Sequence, residues 1–298
     1  METIIKGLDE HKIPHQLDEP MARHTSFRIG GAVRAMVFPK TECQLHTALR
    51  LCAENNHTPF VFGNGSNLLV QDAPIPRIAI QLGDNFSKAL QVSDTSLLAQ
   101  SGILLSRLAV FAQKNALSGL EFAHGIPGTL GGAIAMNAGA YGGEMAQVVT
   151  RVRYFDENLT LQAATGNVLD FSYRHSLFSG KNFTIIDAEI ALSPGNGSEI
   201  RAQMDDLATR RKSSQPLEKP SAGSTFKRPP NGYAAAMIDQ AGLKGYQIGG
   251  AAVSEKHAGF IVNLGDATCD DVLRLIEHVQ KIVYEQTGTM LETEVLRV

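Results

Sequence analysis

The chain has 298 residues, 43% hydrophobic and 19% charged, with a formal net charge of −3. That length accommodates two or three compact units with a large buried core, and nothing in the near-neutral balance suggests a polyanion-binding surface as the main business. Residues 1–12 are charged throughout and hold no apolar h-region, so neither a signal peptide nor an anchor is expected there. Residues 2–12 predict a short helix with Ile4, Ile5 and Leu8 on one side. His24-Thr25-Ser26-Phe27-Arg28-Ile29 turns polar to apolar and stops at Gly30-Gly31. Met36–Phe38 reads as a strand, Thr41 as the N-cap of a helix to about Asn55, and Phe60–Phe62 as a buried strand. Cys43 and Cys52 fall on opposite faces of that helix, and His11 and His15 have Pro14 between them, so no metal site follows. With Cys269 the three cysteines are too few for a disulfide framework; reduced thiols and a cytoplasmic chain are expected.

The strand at Phe62 empties into Gly63-Asn64-Gly65-Ser66-Asn67, then Leu68. Such a turn can aim successive N–H groups into an anion-binding nest, although a plain hairpin turn has the same composition. It is not a dinucleotide fingerprint, since Leu68 stands at the third glycine position. Strands follow at Ile78–Leu82, Leu90–Val92 and Leu97–Gln100, then a helix over Leu104–Asn115. Gly125–Gly143 holds seven glycines, four alanines and no charge. Backbone there can approach a flat or phosphorylated ligand closely, or one helix can press tightly on a sheet. A hairpin (Val148–Phe155 and Leu159–Ala163), a strand over Asn182–Leu192 and a domain boundary at Gly197 come next. The C-terminal part reads as a helix over Ser198–Ser213, a proline-rich loop, a short helix at Ala234–Gln240 and strands at Gln247–Val253 and Gly259–Asn263. It continues with a helix over Asp270–Gln286, capped by Thr268 and Asp271, and a last strand over Met290–Val298.

Ser224-Thr225-Phe226-Lys227 matches the S-x-x-K nucleophile motif, but Arg228-Pro229-Pro230 forbids a helix through the lysine and the companion elements are missing. Tyr173-Arg174, between Phe171 and Leu177-Phe178, is either a structural pair or an anion anchor; Glu294 among apolar neighbours is either partly desolvated or a solvated edge carboxylate.

In order, TSFRIGG (Thr25–Gly31), GNGSNLLV (Gly63–Val70), GIPGTLGGAIAMNAGAYG (Gly125–Gly142), SYRHSLF (Ser172–Phe178), PSAGSTFKRP (Pro220–Pro229), VSEKHAGFIVN (Val253–Asn263) and LETEV (Leu291–Val295) resemble the UDP-N-acetylenolpyruvoylglucosamine reductase family over about Thr25–Arg297. The resemblance implies an α+β fold with a two-part FAD-binding unit of the vanillyl-alcohol-oxidase/PCMH type (1–75 and 76–197) and a C-terminal α+β substrate-binding domain (198–298). FAD would be held by Gly63, Asn64, Gly65, Ser66, Asn67 and Leu68, with Gly125, Ile126, Pro127, Gly128, Asn137, Gly139, Ala140 and Tyr141 lining the flavin. The implied substrate is UDP-N-acetylglucosamine enolpyruvate, with NADPH as hydride donor. Tyr173 would touch the substrate, Arg174 its carboxylate, and Lys227 and Arg228 its phosphates. Ser224 would be the proton donor, and Glu294 would join Arg174 in stabilising the enediolate. A monomer without a membrane or nucleic-acid partner is expected. Two departures stand out. His24 replaces a frequent asparagine, and only 49 residues separate Arg174 from Ser224, which places the chain in the shorter branch lacking a tyrosine-bearing insertion. The rivals are an oxidase or dehydrogenase on the same flavin fold and a non-catalytic nucleotide-binding module.

Overall fold

Helix ends fall where capping chemistry puts them. Thr41 accepts the Gln44 N–H and starts the helix Glu42–Glu54. At Thr268 both halves of a capping box are made with Asp271, opening the helix Cys269–Thr287, which Gly288 closes with a φ of 68°. The N–H groups of Thr268 and Gly250 donate to the Asp271 carboxylate and hold its pKa below the usual range. A depressed folded pKa gives stability that is complete above the unfolded value of about 4 and is lost as pH falls through the folded one. Thr268→Ala should lower stability by about 1 kcal/mol, read as a lower urea midpoint; an unchanged midpoint would show that Asp271 alone secures this terminus.

The computed structural model describes residues 1–298 as two compact units. The first comprises Met1–Leu17, Ala35–Asn64 and Arg77–Arg210; the second, Asp18–Arg34, Gly65–Pro76 and Arg211–Val298. In the first unit an antiparallel sheet runs in the order Leu161–Thr165, Val149–Phe155, Thr184–Ala191, Ser96–Gln100 and Ala89–Ser93. The helices Leu105–Lys114, Leu130–Ala135 and Gly197–Ser214 contribute to the core beside it. A separate cluster joins Ile4 and Leu8 of the helix Glu2–Glu10, the apolar face of Glu42–Glu54 and strand residues Ile78 and Ile80. Phe60–Phe62 runs parallel to Ala79–Gln81. Arg153 bonds Asp187 and Glu42, tying the antiparallel sheet to the helix Glu42–Glu54. Burial pushes the Cys52 thiol up to about 12, so this side chain acts as a small hydrophobe.

In the second unit the antiparallel strands Gln247–Ile248, Ala251–Val253 and Ile261–Asn263 carry the helices Ala234–Gln240 and Cys269–Thr287. Leu296–Arg297 runs parallel to Leu68–Leu69. No helix is long and apolar enough to cross a membrane.

Four features differ from the sequence reading. The helix Gly197–Ser214 stays with the first unit as far as Arg210, because Ile200 and Met204 enter that unit's core. Asp18–Arg34 and Gly65–Pro76 belong with the C-terminal residues, because Phe27, Ile29 and Leu69 are part of their core. The expected strand Gln247–Val253 is a hairpin, folded at Gly249 and Gly250. Of Met290–Val298 only Leu296–Arg297 is strand: Glu294 N–H bonds Thr225 while Leu296 N–H bonds Asn67, so the run divides its pairing between two partners. The strand His15–Pro20 was illegible, since five of its six residues avoid full burial and no alternation marks it.

Candidate functional site

Gly63 ends the strand Phe60–Phe62 against the side chain of Thr129, where an added Cβ would overlap the hydroxyl. Asn64 Nδ2 donates to Pro127 O at 2.6 Å, and Gln81 Nε2 to Gly63 O at 3.2 Å. The turn is thereby fastened to the glycine-rich segment. A cleft of about 280 Å³ in this unit is lined by Phe38, Gly63, Asn64, Gln81, Leu104 and Thr129 among others. The backbone N–H groups of Asn64, Gly65 and Ser66 donate to no protein acceptor. Three successive free donors after a strand suit phosphate oxygens. Thr129 was not foreseen. Its position as an N-cap whose hydroxyl does not cap its helix is the signal that marks it.

The glycine-rich segment makes the tight packing of helix on sheet that its composition allowed. Leu130 N–H and Gly131 N–H bond Ile103 O and Ser101 O, so the helix Leu130–Ala135 presses against the chain leaving the strand Ser96–Gln100. Beyond it Gly139–Ala140 pairs with Gly143–Glu144 in a hairpin whose tip, Tyr141, is half exposed with a φ of 54°. A Cβ on Gly143 would lie 2.5 Å from the Phe122 ring, so that glycine serves packing. Asn137 is 1% exposed; its Oδ1 accepts Ala146 N–H at 2.9 Å and its Nδ2 donates to Ser172 O at 3.0 Å. Its side chain is therefore occupied by protein.

Ser172 and His175 exchange both backbone hydrogen bonds at 3.1 Å, leaving Tyr173 and Arg174 at the tip of a tight turn. Arg174 has a φ of 55°, uncommon for a residue with a long side chain, and its guanidinium lies 4.9 Å from the Tyr173 ring centroid. Ser176 and Ser179 hydroxyls both donate to Ala135 O, at 2.8 and 3.1 Å.

In the second unit no helix forms at Ser224-Thr225-Phe226-Lys227, in keeping with the rejected nucleophile motif. Gly223, with a φ of 78°, leads into half-buried Ser224. Thr225 is clamped: its N–H bonds Gly259 O, its carbonyl accepts Glu294 N–H, and its hydroxyl accepts Ile261 N–H. Ser224 and Glu294 thus sit on neighbouring extended segments. Glu294 O also accepts Asn67 Nδ2 at 3.1 Å. Lys227 pairs with Glu292 at 3.3 Å, and the Arg228 guanidinium lies 4.1 Å from the Tyr233 ring centroid. The TSFRIGG segment braces these parts: Ser26 N–H bonds Gly65 O and its hydroxyl bonds Ser221 O at 2.6 Å. His24 bonds Glu19 at 3.0 Å.

The small-residue walls, the free N–H groups and the nearby cleft fit an elongated dinucleotide such as FAD. A family model described as an FAD binding domain matches residues 33–165. At 15% identity and a TM-score of 0.51, a berberine bridge enzyme variant overlaps 65% of this chain and 44% of its own, a likeness of fold alone. The protein is thus an FAD-binding flavoprotein with the α+β fold of the vanillyl-alcohol-oxidase type. A second model, described as UDP-N-acetylenolpyruvoylglucosamine reductase, C-terminal domain, matches residues 215–298. The reductase of that name from Clostridioides difficile is 48% identical, covering 94% of this chain and 92% of the relative. The one from Caldanaerobacter subterraneus is 47% identical with the same coverages. The crystal structure of the reductase from Thermus caldophilus superposes with a TM-score of 0.80 at 33% identity, over 96% of this chain and 98% of that one. The chain belongs to the UDP-N-acetylenolpyruvoylglucosamine reductase family.

Proposed function

We propose that the protein reduces the enolpyruvyl group of UDP-N-acetylglucosamine enolpyruvate to give UDP-N-acetylmuramate for peptidoglycan synthesis, with NADPH as reductant, acting as a cytoplasmic monomer. The N–H groups of Asn64, Gly65 and Ser66 take the pyrophosphate, Asn67 and Leu68 continue that loop, and Gly125–Gly128 with Gly139–Tyr141 line the flavin ring by backbone. FAD, when bound, supplies the chemistry no side chain has, taking a hydride from NADPH and yielding it to C3 of the enolpyruvyl double bond.

The remaining work falls to this chain. Negative charge grows on the substrate carboxylate as hydride arrives at C3, and the Arg174 guanidinium stabilises it with two parallel N–H donors. Glu294, when protonated, donates a further hydrogen bond to the same group. Ser224 Oγ gives its proton to C2, completing saturation of the double bond. A serine hydroxyl is a weak acid, so this transfer works only onto a strongly basic, carbanion-like carbon. Tyr173 contacts the substrate beside Arg174, while Lys227 and Arg228 meet the phosphates.

One observation supports this assignment above the others. In each unit the segment carrying the proposed chemistry hydrogen-bonds to the segment proposed to hold the cofactor: Ser172 O to Asn137, and Glu294 O to Asn67. An oxidase on the same fold would have no need of Ser224, and a binding module would consume no NADPH. The test is NADPH oxidation by the FAD-loaded protein. Consumption should be strong with the enolpyruvyl nucleotide and slight without it; equal rates in the two cases would reject the reading.

A further inference from the structure

The arginine turn is tied to the segment that follows the helix Leu130–Ala135 by a buried side-chain amide, that of Asn137. Asn137 is buried at 1% exposure, on the backbone between the helix Leu130–Ala135 and the Gly139 hairpin, with a left-handed φ of 44° that asparagine tolerates well. Its Oδ1 takes Ala146 N–H and its Nδ2 gives one hydrogen to Ser172 O. Ser172 O also accepts His175 N–H at 3.1 Å, so both lone pairs of that carbonyl are used and its direction is fixed. Arg174, two residues on, is kept at a φ of 55°. Such a conformation persists only when its surroundings over-determine it, and the surroundings here are the Asn137 amide, the two Ser172–His175 bonds and the Ser176 and Ser179 hydroxyls on Ala135 O.

We propose that Asn137 is a positioning residue for Arg174: its side-chain amide ties the cofactor-lining hairpin to the base of the arginine turn and sets where the guanidinium meets the substrate carboxylate. This inference rests on the role proposed above for Arg174. It gives the asparagine a task different from a side-chain contact to flavin, and it makes the hairpin and the turn one mechanical element.

Asn137→Asp separates the two bonds. The carboxylate still accepts Ala146 N–H but opposes Ser172 O instead of donating to it. Because misplacement by about 1 Å can cost on the order of 100-fold in rate, the variant's flavin should be reoxidised by the enolpyruvyl nucleotide roughly 10- to 100-fold more slowly, with a far smaller change in its bleaching by NADPH. The effect should be absent in an Arg174→Lys background, as expected for two residues acting through one contact. Asn137→Gly, which keeps the left-handed backbone and removes both bonds, should show the same selective loss and the same non-additivity. Equal slowing of both half-reactions, full additivity with Arg174→Lys, or loss of FAD and of cooperative thermal unfolding in both variants would assign the amide to the fold and overturn the proposal. If Arg174→Lys itself leaves reoxidation unchanged, the role of Arg174 fails instead, and this inference falls with it.

Discussion

Ser224→Ala should bind FAD, bleach normally when NADPH is added, and then recover its colour on addition of the enolpyruvyl nucleotide about 10²- to 10⁴-fold more slowly than the unaltered protein, the usual contribution of a positioned proton donor. The structure isolates this residue well. Its neighbour Thr225 carries the fixed hydrogen bonds to Gly259, Ile261 and Glu294, so removing one hydroxyl from half-buried Ser224 leaves the segment's own anchoring intact. Anaerobic stopped-flow absorbance separates the two half-reactions. Equal slowing of both would place Ser224 outside the proton transfer, and normal recovery would pass its role to another donor.

Gly65→Ala should abolish stable FAD binding. Gly65 has a φ of +60°, and a Cβ there would overlap the carbonyl oxygen of His24, which is backbone and cannot rotate away. The left-handed conformation costs a side-chain-bearing residue about 1–2 kcal/mol and the overpacking a further 1–3 kcal/mol. Relief requires the loop to move, and Ser26 N–H, bonded to Gly65 O, moves with it. The purified variant should be colourless, with FAD affinity reduced at least about 100-fold, an energy of roughly 2.7 kcal/mol. A yellow variant with unaltered affinity would show that this turn does not hold the cofactor.

The local elements were legible because their signals are local. Thr41, Thr268 with Asp271, and the alternation at Ile78 and Ile80 each act within a few residues. The composition of Gly125–Gly143 announced close approach but could not say to what. Only in the fold does it divide, with Gly131, Gly139 and Gly143 pressed against protein and Gly142 open. Asn137 shows the limit most clearly, because its two bonds reach Ala146 and Ser172, and the second partner lies 35 residues away. Thr129 opposite Gly63 and Ser26 on Gly65 and Ser221 are likewise products of topology. The unit boundaries escaped the linear reading for the same reason: Phe27, Ile29 and Leu69 are ordinary apolar residues whose membership in the C-terminal core no pattern reveals. The roles proposed for Arg174, Ser224 and Glu294 come from a resemblance carried by ordered motifs, since no single spacing distinguishes these residues from structural counterparts.

The reductase reading is tested most directly by mixing the FAD-loaded protein, bleached anaerobically with one equivalent of NADPH, with one equivalent of UDP-N-acetylglucosamine enolpyruvate. Rapid return of the flavin absorbance and formation of UDP-N-acetylmuramate in equal amount are expected. A flavin that stays bleached until oxygen is admitted, with the enolpyruvyl nucleotide recovered unchanged, would contradict it.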